Sequence, residues 1–378
     1  MNGKDPKKYS REHNKEERLF YIDLIEFLAI LFVLLYHLST LDVDFLNYGN
    51  MHTYFSYSIM AVLSTCVPLF FLVNGYLLFN KKFDLKKHVL RMIRLVVLTE
   101  VWGGITLGSI VIIKHESISI KECFVTLWNL DGGIFHLWFM GALVCIYTVF
   151  PLLKLTYDKN KKIFIYFIFI CALMTFGNSV LNQIGTVVLN LTTGRQEVLD
   201  MNWFNIFNIF RMIPGYAFVY FCIGGLMPFI LPRLMKMGRM KLNACAGVCC
   251  ILSTICLAMW GLYCSHIAQS VWDTVFNGYD TVFTLINTIS IFLLCLNYNA
   301  KNTMIRNIIV TISFNTLGIY FLHPIFRELS WDYVIKLPFS HNIVGNLIYA
   351  LVIMLICMII ILIVKKIPIL KNWFSFLY

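Results

Sequence analysis

The stretch that decides the fold is IVGNLIYALVIMLICMIIILIV, residues Ile343–Val364, which runs for 22 residues without a charged side chain. About 20 consecutive apolar residues cross the hydrocarbon core of a bilayer as a helix. Nine further apolar runs lie upstream between polar breaks, so the chain reads as ten spans. They fall at about 20–39, 55–79, 95–113, 134–153, 163–182, 206–231, 243–263, 280–297, 308–328 and 343–364. Over all 378 residues the composition is 59% hydrophobic and only 13% charged, and the mean hydropathy is +0.75. Soluble domains are about 45–50% apolar and about 25% charged. A soluble enzyme is excluded, and the expected fold class is all-α, a polytopic membrane bundle of about ten transmembrane helices.

The formal net charge of +11 sits in short basic clusters between apolar runs, which argues for membrane topology and against nucleic acid as a partner. Of the 31 Lys and Arg residues, 25 fall on one side of the ten-span arrangement. That bias places both termini in the cytoplasm. Residues 1–18 form a polar, charged head expected to stand apart as a cytoplasmic segment, with a single membrane domain over 19–378. The first span lacks a small-residue cleavage site and is expected to be retained as an anchor. The twelve cysteines lie mostly inside apolar segments, and neither CxxC nor a Cys/His ligand spacing occurs. No disulfide framework and no metal site are expected.

Ionisable residues inside spans are costly and are therefore functional candidates. With this orientation His37, His136, His323, Arg211 and Arg327 all fall near the outer boundary while coming from four different spans. His37 ends the run FLAILFVLLYHL, which otherwise excludes polarity. Asp23, Glu26 and Glu100 lie in the inner half. Glu26 and His37 share one helix stripe but stand roughly 16 Å apart along the axis, too far for a hydrogen bond. The stripe reads as one wall of a passage through the bundle. The basic loop NKKFDLKKHVLRMIRL, with Lys82, Arg91 and Arg94, either marks the cytoplasmic side or forms a mouth for a polyanionic ligand such as a nucleotide or coenzyme A.

Taken in order, YIDLIEFLAILFVLLYH, PLFFLVNGYLLF, the basic loop, HLWFMGALVCIYTVFP, YFCIGGLM and NTLGIYFLHPIF resemble the acyltransferase 3 family of ten-span bacterial membrane acyltransferases, over about residues 18–370. The resemblance implies O-acylation: an acyl group, acetyl or succinyl, passes from cytoplasmic acyl-CoA, acetyl-CoA foremost, to a hydroxyl of an extracytoplasmic polysaccharide or lipid-linked envelope acceptor. The family's span-one signature is an arginine, ten residues and a histidine. His37 holds the histidine position, but Glu26 stands where the arginine belongs, and Asn74 replaces a commoner serine.

The expected site therefore has His37 as general base and His323 in proton handling or positioning. Glu26, His136, Trp138, Arg211 and Asn74 are expected to bind substrate, and Arg91, Arg94 and Lys82 to hold the donor. An arginine or the Trp138 N–H is expected to stabilise the oxyanion. The expected setting is a bacterial plasma membrane, with a homodimer or a polysaccharide-synthesis complex as the assembly. A rival reading from another class is a transporter or exporter of a small polar or glycan-linked substrate. A second rival is a catalytically altered partner in a polysaccharide-synthesis complex. The chain carries no Walker, Rossmann or zinc-protease motif to support an ATPase, a dehydrogenase or a metalloprotease.

Overall fold

The structure, a computed structural model, describes residues 19–367 apart from 211–213, 297, 299 and 301. The polar head expected over 1–18 lies outside the described residues, as does Arg211. Among the described residues every regular element is helical.

The chain opens with α1 (Phe20–His37), α2 (Met51–Leu63), α3 (Cys66–Phe79), α4 (Leu85–Lys114) and α5 (Ile120–Asn129). A 3₁₀ segment, Gly132–Leu137, then leads into α6 (Trp138–Lys159), followed by α7 (Lys161–Ala172) and α8 (Asn178–Thr193). The rest is α9 (Gly215–Leu234), α10 (Arg239–Ala268), α11 (Val282–Leu296), α12 (Thr303–Ser313), α13 (Thr316–Val334) and α14 (Ile343–Val364). Eight helical stretches among the described residues are long and apolar enough to cross a membrane; α12 with α13 forms a further pair, and α11 is a shorter apolar helix of 15 residues. These segments follow the expected ten runs in order. Their outward faces stay apolar, as in Val344, Ile348, Val352 and Leu355 of α14. A bilayer asks for that pattern, because lipid rather than water meets those side chains. The chain is a multi-pass membrane protein.

Three details differ from the sequence expectation. The second run is broken at Ser64–Thr65 into α2 and α3, and the ninth is broken between Ser313 and Thr316, where α12 and α13 meet at 75°. The basic cluster is not a loop. Lys86, Lys87, Arg91 and Arg94 are carried on the first turns of α4, which begins at Leu85 with Asp84 as its N-cap. Lys154, which follows directly on the expected span 134–153 and so counts among the cations between spans, is buried within α6, where its Nζ donates to the Phe79 carbonyl at 2.8 Å and meets Asp158 at 2.7 Å. A lysine on the last carbonyls of α3 satisfies acceptors that the helix end leaves orphaned.

Close packing of α3 on α9 is set by two glycines. A Cβ on Gly75 would lie 1.7 Å from the Phe221 carbonyl oxygen, and one on Gly224 would lie 1.9 Å from that of Leu72. Lipid offers little hydrophobic reason for two helices to associate, so small residues that let backbones approach take over that role.

Candidate active site

The three histidines converge because three different breaks in the chain bring them to one end of the bundle. His37 is the last residue of α1, His136 lies in the 3₁₀ segment that starts after Asp131, and His323 sits in α13 after the bend at Asn315. His323 Nε2 lies 3.1 Å from His37 Nδ1, a hydrogen bond between the two rings. The ring of His136 stands edge-on to His323 with centroids 5.8 Å apart. The Tyr320 hydroxyl donates to the His136 carbonyl and so ties the 3₁₀ segment to α13.

His323 is fully buried, His136 is buried, and His37 is half-buried at the edge of a cavity of about 390 Å³. Trp138, Tyr320 and Arg327 also line this chamber. The Nε2 atom of His136 is buried with no hydrogen-bond partner, and so is Nε of Arg327. The Arg327 guanidinium is held by Glu328 at 3.0 Å and stacks over Trp331, and Glu328 in turn meets Lys114 at 3.2 Å. Opposite, the Tyr36 hydroxyl donates to Asp273, fixing the loop before α11 against the end of α1. Among the described residues no group of three His, Cys, Asp or Glu side chains is arranged to hold a metal ion.

A second, smaller cavity of about 70 Å³ lies beside the chamber and shares Phe139 and Tyr320 with it. Its polar lining is Asn74, Tyr147 and Thr316. Asn74 accepts from the Tyr147 hydroxyl at 3.2 Å and donates to the Phe70 carbonyl at 2.9 Å. His88 donates through Nε2 to the Tyr147 carbonyl at 2.7 Å. His88 also lines a third cavity of about 80 Å³, together with Lys81, Lys82, Lys87 and Arg91. Arg91 and the chamber residue Ile110 both belong to α4, so the basic cavity and the chamber are about 28 Å apart along that helix. Three cavities thus follow one another from the basic end of the bundle to the histidine end.

The expected residues divide accordingly. The structure gathers His37, His136, His323 and Trp138 around one chamber, places Asn74 in the middle cavity, and puts Lys82 and Arg91 at the basic one. Arg94, on the same helix, is exposed and does not line these cavities. Glu26 is not brought to the histidines. It is buried beside Asp23, and the Ser313 hydroxyl, at the α12–α13 bend, lies within hydrogen-bond distance of both carboxylates, 2.8 Å from Asp23 Oδ1.

Four contributors to the site were not singled out from the sequence. Tyr320 lies inside an apolar span, and Tyr36, Asp273 and Glu328 belong to a span end or a connecting loop. There Tyr reads as an interfacial anchor and an acid reads as a solvated charge. Only folding shows that they contact the histidine elements.

The membrane-embedded helical bundle thus carries a histidine-lined chamber at one end and a basic cavity at the other. The acyltransferase domain of the acyltransferase 3 family matches residues 19–364, nearly the whole chain, and the protein belongs to that family of membrane acyltransferases. No curated protein and no solved structure shows a significant match.

Proposed function

We propose that this protein is a membrane O-acyltransferase that moves an acetyl or succinyl group from acyl-CoA to a hydroxyl of an extracytoplasmic envelope acceptor in a bacterial plasma membrane. The observation that carries the reading is the 3.1 Å bond between His37 Nδ1 and His323 Nε2 at the wall of the 390 Å³ chamber. A general base needs one nitrogen free for the substrate and the other held. Here Nδ1 of His37 is held, and the half-buried ring leaves Nε2 for the acceptor.

For Nε2 to take a proton, the hydrogen of the pair sits on Nδ1 of His37 and is donated to His323 Nε2. As the acceptor oxygen attacks the thioester carbon, its proton passes to His37 Nε2. The C–S bond then breaks, and the same proton leaves with the coenzyme A thiolate. The products are the ester and free coenzyme A. His323 is a positioning residue, since it reaches the acceptor only through His37. The negative charge that develops on the carbonyl oxygen finds Arg327, whose unpartnered Nε and its anchoring by Glu328 favour it over the Trp138 N–H.

At the other end, Lys82 and Arg91 supply cations for the donor's phosphates, and the middle cavity between Asn74 and Tyr320 supplies the route for its acyl arm. Glu26, which stands where the family carries arginine, secures α1 to the α12–α13 bend through Ser313.

Inverted membrane vesicles carrying the protein, given acetyl-CoA or succinyl-CoA and lipid-linked envelope glycans, are expected to release free coenzyme A thiol and to label the glycan. His37→Ala is expected to abolish both. Thiol release and labelling that persist in His37→Ala sink the assignment of the base. Their absence in the wild type with every donor, alongside export of a glycan-linked substrate, favours the transporter.

A further inference from the structure

A fourth cavity, of about 340 Å³, opens beside the histidine chamber and is absorbed by nothing in the mechanism above. It is built between α8, the loop 195–204, the start of α9, α10 and the loop 269–281. Its walls combine aromatic faces (Trp260, Trp272 and Tyr216) with the polar side chains of Gln183, Asp200 and Asp280.

Two other lining amides have structural work. Asn182 accepts from Met201 N at 3.1 Å and from the Trp203 indole at 2.7 Å, and Asn178 accepts from Trp203 N at 2.8 Å. Together they pin the loop 195–204 onto α8. Gln183 does no such work: its Nε2 is buried and has no hydrogen-bond partner. A buried amide donor on a cavity wall is left free to donate to whatever fills the cavity, water or a ligand hydroxyl. Asp200 and Asp280 lie close enough that the charge of one acts on the other, and no Lys or Arg is among the described lining residues.

We infer that this cavity is the acceptor subsite and that it takes a saccharide without negative charge, one that is neutral or carries an amine. Flat aromatic walls beside hydrogen-bonding side chains suit the apolar faces and hydroxyl edges of a sugar ring. Asp200 and Asp280 accept from hydroxyls or an ammonium group, and with no cation on the wall to balance them they disfavour a uronate or phosphate, the more so as Asp280 ionises. The position suits an acceptor: Phe276 lines both this cavity and the histidine chamber, and Tyr216 meets Trp138 edge-on at 6.5 Å across the same partition. A sugar held here presents a hydroxyl past Phe276 towards His37.

This inference rests on the acyltransferase reading, so its test is a binding measurement that needs no donor. The full-length protein in lipid nanodiscs is titrated with cellobiose, with the free-amine disaccharide of glucosamine, and with digalacturonate. The neutral and amino sugars are expected to bind and digalacturonate is not. Trp260→Ala is expected to weaken binding about tenfold, whereas Trp260→Phe keeps most of it. The double variant Asp200→Asn, Asp280→Asn is expected to admit digalacturonate and to lose preference for the amine. Absence of sugar binding, tightest binding of digalacturonate, or affinity unchanged in both Trp260→Ala and Gln183→Ala overturns the subsite. Binding as expected without any acyl transfer in vesicles overturns the acyltransferase reading instead. Transfer to saccharide acceptors that is undiminished in Trp260→Ala keeps that reading and removes the subsite.

Discussion

Replacing His323 by glutamine isolates the contact on which the proposed chemistry depends. The 3.1 Å bond leaves His37 with one nitrogen held and one free, and His323 is fully buried, so no water replaces the lost ring without a cavity being opened. A positioned general base contributes about 10²–10⁴ in rate, roughly 2.7–5.5 kcal/mol of barrier. His37→Ala is expected to forfeit all of this. His323→Leu removes the acceptor that keeps the proton on His37 Nδ1 and is expected to cost most of it. His323→Gln, which offers an amide oxygen near the same place, is expected to lose about tenfold. The decisive variant is the double one, because residues that act as a unit are not additive. His37→Ala combined with His323→Leu is expected to be no slower than His37→Ala alone. The assay is coenzyme A thiol release in inverted vesicles, with protein levels matched, followed from pH 5.5 to 9. In His323→Leu the limb of the profile that reports the base is expected to move, while the KM for acyl-CoA stays within about twofold. Independent, multiplying losses in the double variant, or an unshifted profile with a raised KM, refute the pairing as the source of basicity.

Gly224→Val is expected to prevent α3 and α9 from closing. Its Cβ would overlap the Leu72 carbonyl oxygen at 1.9 Å, and backbone has no rotamer by which to yield, so loss of monodisperse protein in detergent is the readout. Lys154→Met leaves the Phe79 carbonyl without its partner and is expected to cost about 1–3 kcal/mol, seen as a lower thermal midpoint with acyl-CoA KM unchanged. Asp280, in the loop before α11, has its carboxyl pushed up to about 7, first by burial and then by the charge of Asp200. A raised carboxyl binds its proton more tightly when folded, so its stabilisation is complete below the ordinary carboxylate range and is lost as pH rises through about 7. Asp280→Asn is therefore expected to gain stability over wild type at pH 8 and little at pH 4, and equal midpoint differences at the two pH values contradict this.

The histidine cluster was legible because polarity stands out against an apolar run. His37 at the end of FLAILFVLLYHL needs only helix periodicity and a bilayer thickness to be placed at one end of the bundle. Lys154 was misplaced for the converse reason. Counting cations per loop assigns every lysine near a span end to water, and it cannot see that a neighbouring helix ends in orphaned carbonyls. Arg91 and Arg94 read as loop residues because charge breaks the apolar run, although Asp84 caps a helix that simply continues beyond it. Glu26 shared a stripe with His37, as the periodicity required, but its partner Ser313 came from a bend that no local pattern announces. The saccharide cavity was invisible for a different reason. Its walls come from residues as far apart as Asn178 and Thr281, each an ordinary amide, acid or aromatic in its own segment.

The ring of Phe276, shared by the histidine chamber and the cavity beside it, makes acceptor choice and turnover neighbours in a mechanical sense. A change to the 269–281 loop that reshapes one room shifts a wall of the other, so variants selected there for a new acceptor inherit an altered approach to His37. Redesign of acceptor preference that leaves the rate intact has to begin at the far walls, at Trp260, Gln183 and Asp200, where no surface is held in common.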